Sequence, residues 1–595
     1  MTRRRVSPLG INPHTAMIVQ ELHEIQHRCG YLPVEELQAL ARRLEVPLHR
    51  LHEVASCFPH YRLEPPPAVE VGVCRDMACH LRGAGRLRVA LTALASEIGG
   101  DAVEVGGVSC LGQCDHAPAV AVNGHIYWGL SEGQVRARVR DAAEGKTLPH
   151  QKADRSPRGW TIDPYDGQPR YDAVRRLVET RDAASVIEAL KLANLRGMGG
   201  AGFPTHLKWS TVRSAPGDVK YVVCNGDESE PGTFKDRELL RRTPHLLVEG
   251  MVLAGLVTGA QRGYIYLRHE YEQEIEVMRE AIAAAAAQGL CGERILGSDL
   301  GFPLEVFVSP GGYICGEESA LLEAMEDRRA EPRNKPPFPV FSGLRGQPTV
   351  INNVETLCWT PAIVLRGGAW YRDAGVRGAS GLRFVSISGD VNDPGVYEVP
   401  FGQTVRELIQ TAGGMRDGQA LKAIAPSGPS GGFLPAVLHE KDLPTTAARA
   451  FFRDRLARGG GPLDILDLPL DLATLGGIGN MLGAAFVVVG ERACIVDFAR
   501  NCVAFYRNES CGKCVPCRVG TQKLLDILTD ITSGSDGRDG MGAVDDLAYT
   551  MAQASICGLG QVAANPMTTV MGYFRAELAE HVERGRCPAG VCFSR

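Results

Sequence analysis

Cys511, Cys514 and Cys517 stand at intervals of three in the stretch ESCGKCVPCRVG, residues 509–520. Three thiols this close mark a metal centre, and the chain must fold so that a fourth ligand reaches them. An x2 spacing lets one loop supply three thiolate corners of a small iron–sulfur cuboid. Cys557, in ASICGLGQ, is the best fourth ligand, because its flanking glycines let backbone pass close to a cluster. Zinc is the rival, but structural zinc sites usually draw on two separated pairs. The spacing therefore predicts a [4Fe–4S] centre, an electron carrier.

Two further cysteine groups carry ligand spacing. Cys74 and Cys79 (CRDMAC) pair with Cys110 and Cys114 (CLGQC), and each pair follows a predicted strand. Two adjacent loops then converge on one point, and a [2Fe–2S] centre is favoured over zinc. At the C-terminus, His581, Cys587 and Cys592 lie in HVERGRCPAGVC. They form either a surface tail with free thiols or a structural zinc site completed by Cys494. The remaining cysteines, Cys29, Cys57, Cys224, Cys291, Cys315, Cys358 and Cys502, show no such spacing and read mostly as small buried hydrophobes. The N-terminal stretch MTRRRVSPLGINPH is basic without an apolar run behind it, so no secretory signal is read there. Many cysteines in such a chain point to metal or redox chemistry, with the cytoplasm as the expected compartment.

At 595 residues, with 44% hydrophobic and 22% charged residues and a net charge of −5, the chain reads as several globular domains without a nucleic-acid footprint. Helical periodicity over 15–56 predicts a small helical unit within 1–66. A compact α/β unit follows over 67–145, with an Asn123–Gly124 hairpin turn. Residues 146–170 are polar and read as a linker. Strands KYVVCN, GYIYL and LEVFV alternate with helices over 171–378, which predicts a mainly parallel sheet. Short strands and one helix fill 379–466, and 467–595 is mostly helical. The uncharged stretch LATLGGIGNMLGAAFVVVG (472–490) is glycine-rich and reads as a loop feeding a buried strand near Ala484–Val489, not a membrane span.

Gly197, Gly199 and Gly202 in RGMGGAGFPTHLKW match a dinucleotide spacing, but the residues before them look helical, so the strand–turn–helix context is missing. Glycines still let backbone N–H groups approach a phosphate, with Lys208 as a point charge. Asn225, Asp227, Glu228 and Glu230 follow a predicted strand, where α/β sheets bind ligands; a solvated acidic turn is the plain alternative. Glu317, Glu318, Asn352 and Asn353 add polar groups after further strands. Hydrolytic carboxylates are conceivable, but no nucleophile–base pair accompanies them.

RGMGGAGFPTHLKW, CNGDESEPGTFKDR, GGYICGEESALL, KPPFP, PTVINNVETL and ESCGKCVPCR…SICGLG occur in that order. This resembles the NADH-oxidising flavoprotein subunit of respiratory complex I and its soluble relatives over about 170–580. The first 150 residues are similar to the partner subunit with a thioredoxin-like [2Fe–2S] domain, so the chain looks like a fusion. The implied fold is multidomain α/β: a helical plus thioredoxin-like N-terminal part, a Rossmann-like FMN domain, a β-grasp domain, and a C-terminal helical bundle with the [4Fe–4S] centre.

The resemblance implies FMN held by Gly197, Gly199, Gly200, Gly202, Lys208, Asn225, Asp227, Glu228, Tyr313, Gly316, Glu317, Asn352, Asn353 and Thr356. It implies NADH stacked between the flavin and Phe338, near Phe203, with Glu230 and Glu318 as polar contacts at the reaction site. His206 and Thr211 depart from the residues common in the family. The chain is thus expected to exchange hydride between NAD(H) and FMN, and single electrons with its clusters, within a soluble multisubunit enzyme. CDHAPAV, KPPFP and SICGLGQVAANP look most like the diaphorase subunit of formate dehydrogenase, whose catalytic iron–sulfur subunit would be the partner. The ending YFRAELAEHVERGRCPAGVC looks more like multimeric iron hydrogenases, so an NAD-linked or electron-bifurcating hydrogenase is the alternative, with zinc as a further candidate cofactor. A non-catalytic electron relay is the alternative of another class.

Overall fold

The computed structural model describes residues 17–99, 102–156, 159–457, 461–535 and 538–593; the basic stretch before residue 17 lies outside them. At the centre is an all-parallel sheet ordered Leu304–Ser309, Arg262–Arg268, Tyr221–Gly226, Thr349–Asn353. Its strands are apolar on both faces because both are covered. Val222, Cys224, Ile265 and Leu267 pack into the core that contains the buried helix Pro244–Thr258. Tyr221, Val223, Tyr264, Tyr266 and Phe307 enter a second core with helix Glu318–Met325.

That second core also holds Val19, Leu22, Leu37 and Leu51 from the helices Ile18–Cys29, Val34–Leu44 and Leu48–Ser56. The expected helical unit therefore has no core of its own; its apolar faces cover the back of the parallel sheet. The expected linker 146–170 needs a similar correction. Ile162 and Tyr165 are buried in the first core, and the Tyr165 hydroxyl donates to the Glu249 carboxylate at 2.9 Å. Polar composition hid these two anchors.

The thioredoxin-like unit is a four-stranded sheet ordered Val103–Val108, Val69–Cys74, Ala119–Val122, His125–Trp128. The first pair is parallel, joined through helix Ala84–Ile98, and the last two strands form the hairpin read from the sequence. Asn123 (φ 47°) and Gly124 (φ 80°) take the left-handed conformations that such a two-residue turn requires.

A mixed five-stranded sheet follows, ordered Gly395–Pro400, Leu382–Gly389, Ala485–Gly490, Leu421–Pro429, Leu434–Pro435, with helix Val405–Thr411 against it. Strand Ala485–Gly490 lies in the middle, parallel to Leu382–Gly389 and antiparallel to Leu421–Pro429. The expected boundary at 466/467 thus cuts through one sheet. A buried strand was legible at 484–489, but its pairing partners, more than fifty residues upstream, were not. Helices Ile495–Glu509, Val515–Ser533, Val544–Ala554, Gly558–Val562, Asn565–Tyr573 and Arg575–Arg584 complete the chain. Among the described residues, no helix is long and apolar enough to cross a membrane.

Candidate redox site

The parallel sheet reverses its strand order between Tyr221–Gly226 and Thr349–Asn353, and ligands of open α/β sheets bind at such a switch point beyond the strands' carboxyl ends. Asn225, Asn352 and Asn353 stand there, and the loop 197–202 closes over them. Met198 N–H donates to Thr356 Oγ1 at 2.8 Å, and a Cβ on Gly199 would stand 3.3 Å from that of Asn353. Gly200 and Gly202 have φ of 103° and 62°, and nothing lies within 4 Å of the place a Gly200 Cβ would take. A turn of bare backbone amides beside open space fits a phosphate-bearing cofactor.

Around this turn the polar groups are held in place. Lys208 Nζ donates to Ile351 O at 2.7 Å and lies 4.0 Å from Glu318; burial lowers its pKa. Trp209 Nε1 fixes the Asn352 side chain at 2.9 Å, and Asn225 Nδ2 donates to Gly316 O at 2.8 Å. Asp227 accepts from Ser229 and from Ser309 (2.9 Å), and burial pushes its pKa up to about 6. Glu317 caps helix Glu318–Met325, while Lys335 bridges Glu317 (2.7 Å) and Glu318 (2.9 Å). Phe203 and Phe338 keep 50% and 49% of their surface exposed, leaving apolar faces open beside this polar floor.

Two of the expected contact carboxylates are engaged elsewhere. Glu228 is buried, accepts from the N–H groups of Asp236 (2.8 Å) and Arg237 (3.0 Å) and from the Tyr271 hydroxyl (3.0 Å), and its pKa is pushed up to about 8 by burial. It therefore caps helix Lys235–Arg242, and its carboxylate is not a free cofactor contact. Glu230 accepts from Ser430 N (3.1 Å) and Oγ (2.6 Å), and that hydroxyl lies 2.9 Å from Tyr506 OH. It faces the mixed-sheet domain, a partner that local sequence does not announce.

Cys74, Cys79, Cys110 and Cys114 lie together on the two loops. All four are 1–4% exposed, and the Cys110 and Cys114 sulfurs are 3.4 Å apart. Contact with Cys110, then Cys79, pushes the Cys74 thiol up. Four buried thiols crowded on one another, with no hard oxygen ligand among them, fit a thiolate-bound cluster. Nothing local in the sequence marks what encloses them. Arg268 Nη2 donates to Cys110 O at 2.6 Å; Arg237 Nη1 donates to Gly112 O (2.6 Å) and Gln113 Oε1 (2.7 Å), and its Nη2 to Asp115 (2.6 Å). Both arginines come from the central α/β domain and are 3% and 1% exposed. A Cβ on Gly112 would meet the Tyr271 ring at 2.6 Å, so the loop can lie this close only as glycine.

Cys511 and Cys514 precede helix Val515–Ser533, Cys517 lies in its first turn, and Cys557 precedes helix Gly558–Val562. A Cβ on Gly560 would stand 2.6 Å from that of Ser555 and 2.8 Å from that of Cys517, so the backbone after Cys557 passes close to Cys517. Burial raises Cys517 and Cys557 to about 11, and each feels the neighbouring thiols of the set. Sulfur-only donors again fit an iron–sulfur cluster. Arg329 donates to Cys511 O at 2.7 Å and Lys513 to Pro332 O at 2.8 Å, tying this loop to the α/β domain.

Cys494, His581, Cys587 and Cys592 form a third set, their ligand atoms all within 4.8 Å of one another. Cys494 Sγ is 3.3 Å from His581 Nε2, and His581 Nδ1 is 2.8 Å from Glu577 O, an arrangement that orients the ring toward the sulfurs. Burial opposes it, but Cys494 beside it raises His581 to about 9; Cys587, against the same burial effect, is brought down to about 7 by the Cys592 and Val591 amides. Three thiols and one imidazole are a tetrahedral zinc donor set, and the loose-tail alternative does not describe these packed residues.

Comparison with known proteins matches this layout. Residues 190–362 match the Nuo51 FMN-binding domain, 497–581 the NADH-ubiquinone oxidoreductase-F iron–sulfur binding region, 10–143 the thioredoxin-like [2Fe-2S] ferredoxin, and 384–434 the SLBB domain. The NADH-quinone oxidoreductase F 2 subunit of Rhizobium meliloti is 40% identical over 434 residues, 73% of this chain and 97% of that protein. The NADP-reducing hydrogenase subunit HndC of Solidesulfovibrio fructosivorans is 38% identical over 434 residues, 73% of this chain and 83% of that protein. Among solved structures, a chain of an NAD+-reducing [NiFe]-hydrogenase in the H2-reduced state is 30% identical with a TM-score of 0.79, covering 95% of this chain and 94% of that one.

Proposed function

The chain belongs to the family of NADH-quinone oxidoreductase F subunits and their hydrogenase relatives, flavin- and iron–sulfur-dependent components of larger oxidoreductases, and on that premise we propose that it is the NAD(H)-handling module of a hydrogenase-type complex. FMN, when bound, exchanges a hydride with NAD(H) and single electrons with iron–sulfur centres. The chain's own task is then to bind, orient and connect.

We assign the phosphate end of FMN to the amides of the 197–202 turn and to Lys208. Asn225, Asp227, Tyr313, Gly316, Glu317, Asn352, Asn353 and Thr356 line the rest of its site. Phe338, with Phe203 near it, offers the face on which a nicotinamide ring would stack over the flavin, and Glu318 stands at the polar edge through Lys208 and Lys335. Hydride exchange needs no acid–base residue, so these side chains act by position. Cys511, Cys514, Cys517 and Cys557 are assigned to the [4Fe–4S] exit, Cys74, Cys79, Cys110 and Cys114 to the [2Fe–2S] centre, and Cys494, His581, Cys587 and Cys592 to structural zinc. With Glu230 turned to Ser430, Glu318 is the carboxylate left at this edge to disfavour a 2′-phosphate, so NAD is expected over NADP; equal kcat/KM for the two with an artificial acceptor overturns that.

The observation that carries the reading is the meeting of the glycine turn with Asn225, Asn352 and Asn353 at the switch point, with two thiol sets on adjoining loops. The layout shared with the hydrogenase chain, N-terminal part included, favours hydrogen as the distant substrate. CDHAPAV, KPPFP and SICGLGQVAANP favour formate as the second reading. Native pull-down with metal analysis decides. Nickel with hydrogen-dependent NAD+ reduction supports the first, and molybdenum or tungsten with formate-dependent reduction supports the second. A complex with no flavin band in its visible spectrum overturns both.

A further inference from the structure

One helix touches every part of this apparatus. Ile495–Glu509 begins beside Cys494 and ends at the loop of Cys511, spanning about 18 Å from Asp497 to Glu509 at 1.5 Å per residue. Along its length it meets both loops of the buried cysteine set. Asp497 Oδ2 lies 2.8 Å from Nε2 of His80, next to Cys79. Asn501 accepts from Met77 N at 2.9 Å and donates to Arg75 O at 2.7 Å, in the turn between Cys74 and Cys79.

Its last residue makes the most of its position. One oxygen of Glu509 accepts from the hydroxyl of Ser109, the residue before Cys110. The other accepts from Tyr313 N–H at 2.9 Å, in the loop that continues to Gly316 and Glu317. Cys511 follows two residues later. A single carboxylate thus joins three segments separated by hundreds of residues, each leading into a different thiol set or into the flavin-side loop. Both its oxygens are occupied as acceptors, and neither serves the helix that carries it.

We propose that Glu509 is a positioning residue that holds the two cluster loops and the 313–317 loop in one arrangement, and that its negative charge lowers the reduction potentials of both iron–sulfur centres together. A fixed anion close to two metal centres disfavours the extra electron on each, by an amount that low local dielectric enlarges. The inference rests on the cluster assignments above.

The test is a potentiometric titration of the full-length protein followed by electron paramagnetic resonance, with wild type, E509Q and S109A compared. E509Q keeps the shape and removes the charge; both midpoints are expected to move to higher potential. S109A removes only the hydroxyl contact; the [2Fe–2S] midpoint is expected to move while the [4Fe–4S] midpoint stays. A structural role alone would lower the melting temperature without this pattern. If E509Q moves neither centre, or only one, the shared role is overturned. If E509Q fails to assemble its clusters, an unmoved [2Fe–2S] midpoint in S109A overturns the proposal instead. Wild-type protein without two separable iron–sulfur signals would count against the cluster assignments, not against Glu509.

Discussion

The two cysteine sets assigned to iron–sulfur centres sit in opposite surroundings. Cys74, Cys79, Cys110 and Cys114 are enclosed, on strand-following loops held by buried guanidinium groups from a neighbouring domain. Cys511, Cys514 and Cys557 are partly exposed at helix starts, with Cys517 buried beneath them and the exposed Val515 (57%) next in sequence to Cys514. Burial suits a centre that keeps its electron within the protein. Partial exposure suits one that passes it to another chain.

The largest expected effect would break that contrast. C557S removes one thiolate from the open set; the [4Fe–4S] signal and electron delivery to a partner should fall to background, while reduction of a small dye by NADH persists. Persistent delivery, measured by stopped-flow with the purified partner, would move the exit to the enclosed centre. Next is R237A, which leaves Asp115 buried without its cation. Removing one side of a buried pair costs about 3–5 kcal/mol, so the urea midpoint should drop sharply and the thioredoxin-like unit should loosen. An unchanged midpoint would mean that the clamp is ornamental.

A third test separates the arginine clamp from another seam. His23, His60 and His269 pack together where the N-terminal helices cover the sheet, with ring centroids of His60 and His269 3.9 Å apart. Burial lowers all three, His23 to about 3. Their neutral forms are the ones that fit, so stability is full above the unfolded value of 6.5 and is lost as pH falls toward the folded one. His23 alone costs about 2 kcal/mol at pH 5. Asp115 and Glu270 behave the other way. Burial opposes it, but Arg237 and Arg268 respectively hold them below the usual carboxylate range, so their pairs survive at pH 5. Hydrogen exchange at pH 7.5 and 5 should show protection lost in Ile18–Cys29 and kept in Val69–Cys74. Equal loss in both would erase the distinction. The smallest effect is expected from V515D, about tenfold weaker partner binding by calorimetry, or roughly 1.4 kcal/mol, with both cluster signals intact.

The cysteine groups, the glycine turn, the parallel strands and the Asn-Gly hairpin were legible because each is a local pattern with a local cause. The enclosure was not. Arg237 and Arg268 read as ordinary charges in helical or strand stretches until the fold brings them onto Cys110 and Gly112. Glu228 was expected at the flavin and Glu230 at NADH, and nothing within NGDESEPG marks that their carboxylates turn away. One turns to cap a helix and the other to Ser430, two hundred residues away. The same limit hid the N-terminal helices' place on the sheet, since an amphipathic face shows that it needs a cover without showing which.

Strand Ala485–Gly490 enters its sheet last and in the middle. During synthesis the strands up to residue 435 are complete while the gap between Leu382–Gly389 and Leu421–Pro429 is still open, two unpaired edges facing each other. At about 5–20 residues per second the missing strand follows roughly three to ten seconds later. For that interval the nascent chain carries a ready template for a wrong strand, its own or a neighbour's. A slower passage over residues 436–490 would lengthen that interval, and a chain cut at 466 would keep the template and discard the strand that fills it.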